Sequence, residues 1–193
     1  LTRKKAEVEI EALSRKERKN LRDFGIRIGR ESVFVIDLLK PKAINVRALL
    51  WVLFMGDKGA STLKVPIPKP GQVSFIPDKA FSSSFYESIG YRVMGKLAIR
   101  IDMIERIAEI AWSLNRKKPF MMTPELFALG GCGANEMALV LNLLGYSQSE
   151  KQGILYFKLR LRRPLTNSKN SKSSKSKKLV ELEKNLISEK TIM

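Results

Sequence analysis

The chain of 193 residues contains no histidine and a single cysteine, Cys132. Without histidine there is no imidazole base, and most zinc and haem sites lose their usual ligand. One cysteine rules out an internal disulfide framework and fits a reducing compartment. Long hydrophobic runs are missing too. The longest, Ala48 to Met55, is far shorter than the ~20 residues a membrane helix needs. Acid is scarce relative to base: 19 Asp and Glu face 36 Lys and Arg, a formal net charge of +17. Such a surplus repels itself in a compact state, and a polyanion relieves it by releasing counterions. Nucleic acid is therefore the expected partner, and a membrane is not.

Motifs for chemistry are equally scarce. There is no GxxxxGK[ST] phosphate loop. Gly130-Gly131-Cys132-Gly133 precedes a helix, but no basic residue follows to meet a phosphate, so we read a tight turn. Cys132 lacks an activating histidine and is expected to pack. Asp102 and Glu105 read as capping and first-turn charges of a helix. The chain by itself is expected to bind no metal or cofactor and to catalyse nothing.

What is present is a 44% hydrophobic composition, enough to build a core. The reading is mainly α with short β segments. Residues 1–62 form a helical part, 63–80 a Pro-rich connector, 81–163 a winged-helix-like unit, and 164–193 a disordered Lys/Ser-rich tail. Ser14 and Glu17 form a capping box, and Gly25 closes that helix. Residues 26–35 read as extended. In Ala43–Met55, the residues Val46, Leu49, Leu50, Leu53 and Phe54 recur at helical spacing and are expected to be buried. Gly95-Lys96 marks a hairpin. A helix near Asp102 buries Ile104, Ile107, Ala108 and Ala111. Thr123-Pro124-Glu125 starts the next helix, Asn135–Leu144 is a third, and Ser147–Gly153 is a polar turn before a strand, 154–161. That order is a helix-turn-helix with a reduced wing.

The candidate nucleic-acid contacts are Arg27, Arg30, Lys40, Lys42 and Arg47 near the extended segment, with Lys158, Arg160, Arg162 and Arg163 on the last strand and just past it. On a strand the even-numbered cations share one face and Leu155, Phe157, Leu159 and Leu161 the other. That face suits a phosphate backbone, or equally a solvated edge guarded by charge.

Gly25-Ile26-Arg27-Ile28-Gly29, then Val33-Phe34-Val35, Leu38-Leu39-Lys40-Pro41 and the helix at Arg47-Ala48-Leu49-Leu50-Trp51 carry a resemblance. So do Gly90-Tyr91-Arg92-Val93, Asp102-Met103-Ile104-Glu105-Arg106 and Thr123-Pro124-Glu125-Leu126 with Gly131-Cys132. Over residues 13–163 the chain resembles the C-terminal region of alphaproteobacterial superfamily-two helicases, similar to the mitochondrial degradosome RNA helicase. Many relatives have proline where this chain has Ile36 or Asp37, and the Lys/Ser tail has no counterpart. The resemblance implies ATP-driven motor domains upstream of Leu1, needing ATP and Mg, with this segment gripping RNA or DNA. The start at Leu1, in mid-pattern, reads as a fragment, here of a cytoplasmic bacterial protein, and a nuclease or the ribosome is the partner expected of a scaffold reading. The alternatives are a self-standing winged-helix binding module and a protein-interaction scaffold using Phe75, Phe81 and Phe85.

Overall fold

A computed structural model describes residues 1–55, 65–116 and 118–160, all within one compact unit, Leu1–Arg160. Among these residues are seven α-helices and seven short strands, paired antiparallel in small sheets.

The chain opens with a 3-10 turn, Arg3–Ala6, and helix α1, Glu7–Ala12. Helix α2, Arg15–Asp23, starts at the expected capping box: Ser14 Oγ accepts from the Glu17 amide, and the Glu17 carboxylate accepts from the Ser14 amide. No α2 residue is buried, so this cap and its surface contacts define the helix. Gly25 at φ 77° ends it and turns the chain into a hairpin. Strands β1, Ile26–Ile28, and β2, Val33–Val35, form that hairpin.

Helix α3, Pro41–Met55, corrects the sequence reading. Its buried line is Ile44 and Ala48, with Trp51 packed edge-on against Phe85. Val46, Leu49, Leu50, Leu53 and Phe54 face outward, with Phe54 84% exposed. The helix is apolar nearly all round, so spacing could not choose a face. The small Ala48 is fully buried on the side where α3 packs against α4, Ser83–Ser88. Phe81 and Phe85, expected at the surface, are buried in this aromatic cluster, and Phe75 packs between Tyr86 and Tyr91.

The stretch read as a connector, 63–80, supplies strand β3, Ser74–Phe75, within its described part. It pairs with β5, Leu97–Arg100, which pairs in turn with β4, Tyr91–Met94, through the expected Gly95-Lys96 turn. This sheet is a partition. Alternation along β5 sends Ala98 into the aromatic cluster with α3 and α4, and Ile99 into a second core. That second core is built on α5, Ile101–Asn115, whose Ile104, Ile107 and Ala111 are fully buried as the spacing predicted. Helices α6, Pro124–Gly130, and α7, Ala134–Leu143, close it with Leu126, Met137, Val140 and Leu141.

Thr123 takes the expected cap position of α6, but its hydroxyl makes no hydrogen bond to the helix. Gly131 at φ 56° forms the turn between α6 and α7. Ser147–Gly153, expected as a polar turn, is instead mostly strand β6, Tyr146–Lys151, paired along its whole length with β7, Ile154–Leu159. Main-chain bonding holds this strand, and after Tyr146 its side chains lie in water, so no apolar alternation announced it. No single helix among the described residues is long and apolar enough to cross a membrane; α6 and α7 pass that test as a pair but bend by 83° at their break. Arg162, Arg163, Leu161 and the tail 164–193 lie outside the described residues.

Candidate nucleic-acid interface

The N-terminal hairpin is fastened to α5 by one carboxylate. Glu105 accepts from the main-chain amide of Arg30 at 2.6 Å and from that of Glu31 at 3.1 Å. Adjacent amides converging on an anion form a small nest. Gly29 makes room for it, since a Cβ there would collide with the Glu105 carboxylate. Arg92 adds a bond to Ser32 Oγ at 2.8 Å, and Ser32 is fully buried. Glu105 thus anchors a loop 75 residues away, where the sequence offered a first-turn charge. Asp102 likewise does more than sit in a first turn: it takes both Nε and Nη2 of Arg100, at 2.6 and 2.9 Å. That bond raises the Arg100 pKa further above its ordinary value.

This anchoring sets the arginines. Arg3, Arg18, Arg22 and Arg27 line one cleft of about 390 Å³ with Ile26 and Ile28, and no carboxylate lines it. Three of the four guanidinia are held by main-chain carbonyls. Arg18 caps the end of α1 through Ile10 O and Leu13 O, Arg27 caps α2 through Arg22 O, and Arg3 binds Gly29 O at 2.7 Å. Each guanidinium has five N–H donors, so these bonds orient the group and leave donors for an anion. Among the described residues there are two ion pairs, Lys40–Asp37 and Arg100–Asp102, and neither draws on these four arginines.

Arg3 is also a wall of a neighbouring cavity of about 320 Å³, which Arg30, Glu31, Trp112 and Tyr146 share. There the Arg30 guanidinium lies 3.9 Å from the centre of the Trp112 ring, and that of Arg116 lies 5.3 Å away. The two hollows therefore share a cationic wall, with an aromatic at one end. No protein-family model, curated protein or solved structure matches this chain. The reading of the site rests on its own geometry.

The structure sorts the residues singled out in the sequence. Arg27 and Arg30 fall on the two linked hollows. Lys40 is exposed, pairs with Asp37 at 2.7 Å, and borders a wider groove of about 690 Å³. Arg27, Arg100 and Arg106 share that groove with Asp102, Glu105 and Glu109, so its charge is mixed. Lys42 is exposed at the start of α3. Arg47 turns inward, reaches Leu38 O at 3.5 Å, and burial lowers its pKa, which suits packing more than phosphate contact. Lys158 and Arg160 are exposed at the end of β7, and Leu159 between them lines the Trp112 cavity.

Arg3, Arg18, Arg22, Arg116 and Trp112 were not legible as site residues. Arg18 and Arg22 do share a helix face at four-residue spacing, which is a usable signal. Arg3 and Trp112 are brought there by tertiary packing alone. Burial and Glu136 push the Cys132 thiol up, which keeps it protonated at neutral pH.

Proposed function

We propose that this chain is the non-catalytic, nucleic-acid-binding C-terminal part of an ATP-dependent RNA or DNA helicase of the bacterial cytoplasm, with the motor domains upstream. One observation carries the nucleic-acid reading: four arginines line a single cleft free of carboxylates, each but Arg22 aimed by a main-chain carbonyl. A cleft of this kind takes a row of phosphates and is indifferent to sequence. The helicase part of the reading rests on the resemblance of residues 13–163.

The succession α5, α6, α7 and the β6–β7 ribbon supports a winged-helix-like reading of 81–163. Helix α7 carries no Arg or Lys, so we assign it to packing and give the grip to the arginine cleft, with the exposed Lys158 and Arg160 as further cations. The Lys/Ser-rich tail adds nonspecific attraction.

The test is fluorescence anisotropy with a labelled random-sequence single strand over a range of salt. Four phosphate contacts give a slope of log K against log salt of roughly −3 on a single strand, from about −0.7 per contact. Arg18→Ala and Arg22→Ala each flatten it by about 0.7. Salt-independent binding, or a selected sequence motif, defeats the reading. ATP turnover by this chain alone contradicts the non-catalytic assignment.

A second reading has its own observation. The outward face of α3 offers five exposed apolar side chains in a row, which suits contact with a protein. A partner retained after nuclease treatment and lost in Leu50→Glu supports that role.

A further inference from the structure

The cavity at Trp112 differs in kind from the arginine cleft beside it. Its lining joins the charged Arg3, Arg30 and Glu31 to a floor of Ala108 and Trp112 from α5, Leu144 after α7, and Tyr146 at the start of β6. Ala108, Leu144 and Tyr146 are each buried, so the floor is a fixed part of the second core. Arg3 and Arg30 stand at the mouth. At about 320 Å³ the cavity lies at the small end of ligand clefts, which run from roughly 300 to 1,000 Å³. It has room for one nucleoside and no more.

Arg3, Arg30 and Glu31 bring charges of both signs to the cavity's lining. Arg3 faces both this cavity and the cleft of four arginines, so a chain of phosphates in the cleft passes the mouth at Arg3. The central carbon of the Arg30 guanidinium lies 3.9 Å from the centre of the Trp112 ring, a cation–π distance. A guanidinium plane and an indole are the two surfaces on which an unpaired base stacks best. A paired base is not available to such a hollow, because its faces are covered by its neighbours in the duplex.

We propose that this cavity holds one unstacked base of a single strand whose phosphates run through the arginine cleft, so that the chain selects single-stranded over duplex nucleic acid. The base stacks on the outer side of the Arg30 guanidinium, which Trp112 backs, with Tyr146 and Leu144 in the lining beside it. The inference rests on the nucleic-acid reading above and adds the class of strand that the site takes.

The experiment compares three labelled probes of equal length on the full chain at low salt: a mixed-base single strand, a strand abasic throughout, and a duplex. The mixed-base strand should bind about 5- to 150-fold more tightly than the abasic strand, the span of a single base–aromatic stack. Trp112→Leu and Arg30→Lys should each bring that ratio, taken against the abasic strand on the same variant, to near one. Arg30→Lys keeps the charge, removes the stacking plane and spares the core, so it decides the matter even if Trp112→Leu fails to fold. A wild-type ratio near one overturns the proposal and leaves the arginine reading standing, provided all three probes bind with steep salt dependence. A ratio that survives Arg30→Lys also overturns it. Failure of every probe to bind overturns the nucleic-acid reading itself.

Discussion

Removing the Glu105 carboxylate should loosen the N-terminal hairpin, and the size of the effect can be worked from its bonds. Glu105 takes the amides of Arg30 and Glu31, and both bonds are part-buried. A hydrogen bond to a charged group contributes about 1.5–3 kcal/mol, and water partly compensates in a loop, so Glu105→Ala should cost about 3 kcal/mol in total. Gly29→Ala should cost a similar amount, by a different route. Its new Cβ falls on the Glu105 carboxylate and drives it out of the nest. Gly29 is not in the left-handed region, so alanine meets no backbone strain there. Once Glu105 is alanine the obstacle is gone. Gly29→Ala should then be neutral, or stabilising by about 0.4–1 kcal/mol through the unfolded chain. Urea unfolding of the wild type, both single variants and the double variant, followed by far-UV circular dichroism, measures the coupling. It should lie between about 1 and 3 kcal/mol. Strict additivity refutes the reasoning, because Gly29 would then be needed for something other than the approach of this carboxylate.

Three further outcomes follow from the packing. The Tyr91 hydroxyl donates to Gln72 O at 2.6 Å, and burial raises its pKa above the ordinary value near 10, so its contribution holds at neutral pH and is lost as pH climbs past 10 through the raised value. Tyr91→Phe should cost about 1–2 kcal/mol at pH 7 and flatten the alkaline fall in melting temperature; an unchanged alkaline limb counts against that assignment. On α3, Leu53→Ser should change stability by no more than about 0.5 kcal/mol, whereas Ala48→Leu should cost about 1–3 kcal/mol in chemical denaturation, and the reverse ranking would mean the opposite face is the buried one. In the second core, Ile107→Ala should cost about 2–5 kcal/mol, and a loss below 1 would show that α5 does not carry that core.

Features written in neighbouring residues were legible in the sequence. The Ser14–Glu17 box, the glycine at position 25, the Gly95-Lys96 hairpin and the stripe of α5 each depend on contacts within a few positions. What escaped depends on contacts across the chain. The spacing on α3 was correct for a helix, but either face was apolar enough to be inside, and the answer lay in which side could meet Phe85. Glu105 looked like a charge placed for the helix dipole because its real partners come from a loop 75 residues earlier. Strand β6 carries serines, glutamine and glutamate in the part that faces water, so only its pairing with β7 identifies it. Of the site, Arg27 and Arg30 were found through their place on and beside the extended segment with its alternating isoleucines, while nothing in the sequence singled out Trp112. The cleft itself is a product of the way α1, α2 and the hairpin fold back together.

The outward face of α3 gives the molecule two opposite responses to ionic strength. At low salt the cationic surface keeps copies apart and, on the proposed function, holds phosphate strongly. As salt rises, the shielding length contracts from ~30 Å at 0.01 M to ~8 Å at 0.15 M, the proposed grip on phosphate should slacken, and the repulsion that keeps the exposed Leu49, Leu53 and Phe54 of different copies apart should fall. On the proposed function, a buffer salty enough to strip nucleic acid from the protein should also be one that favours contact between copies through α3.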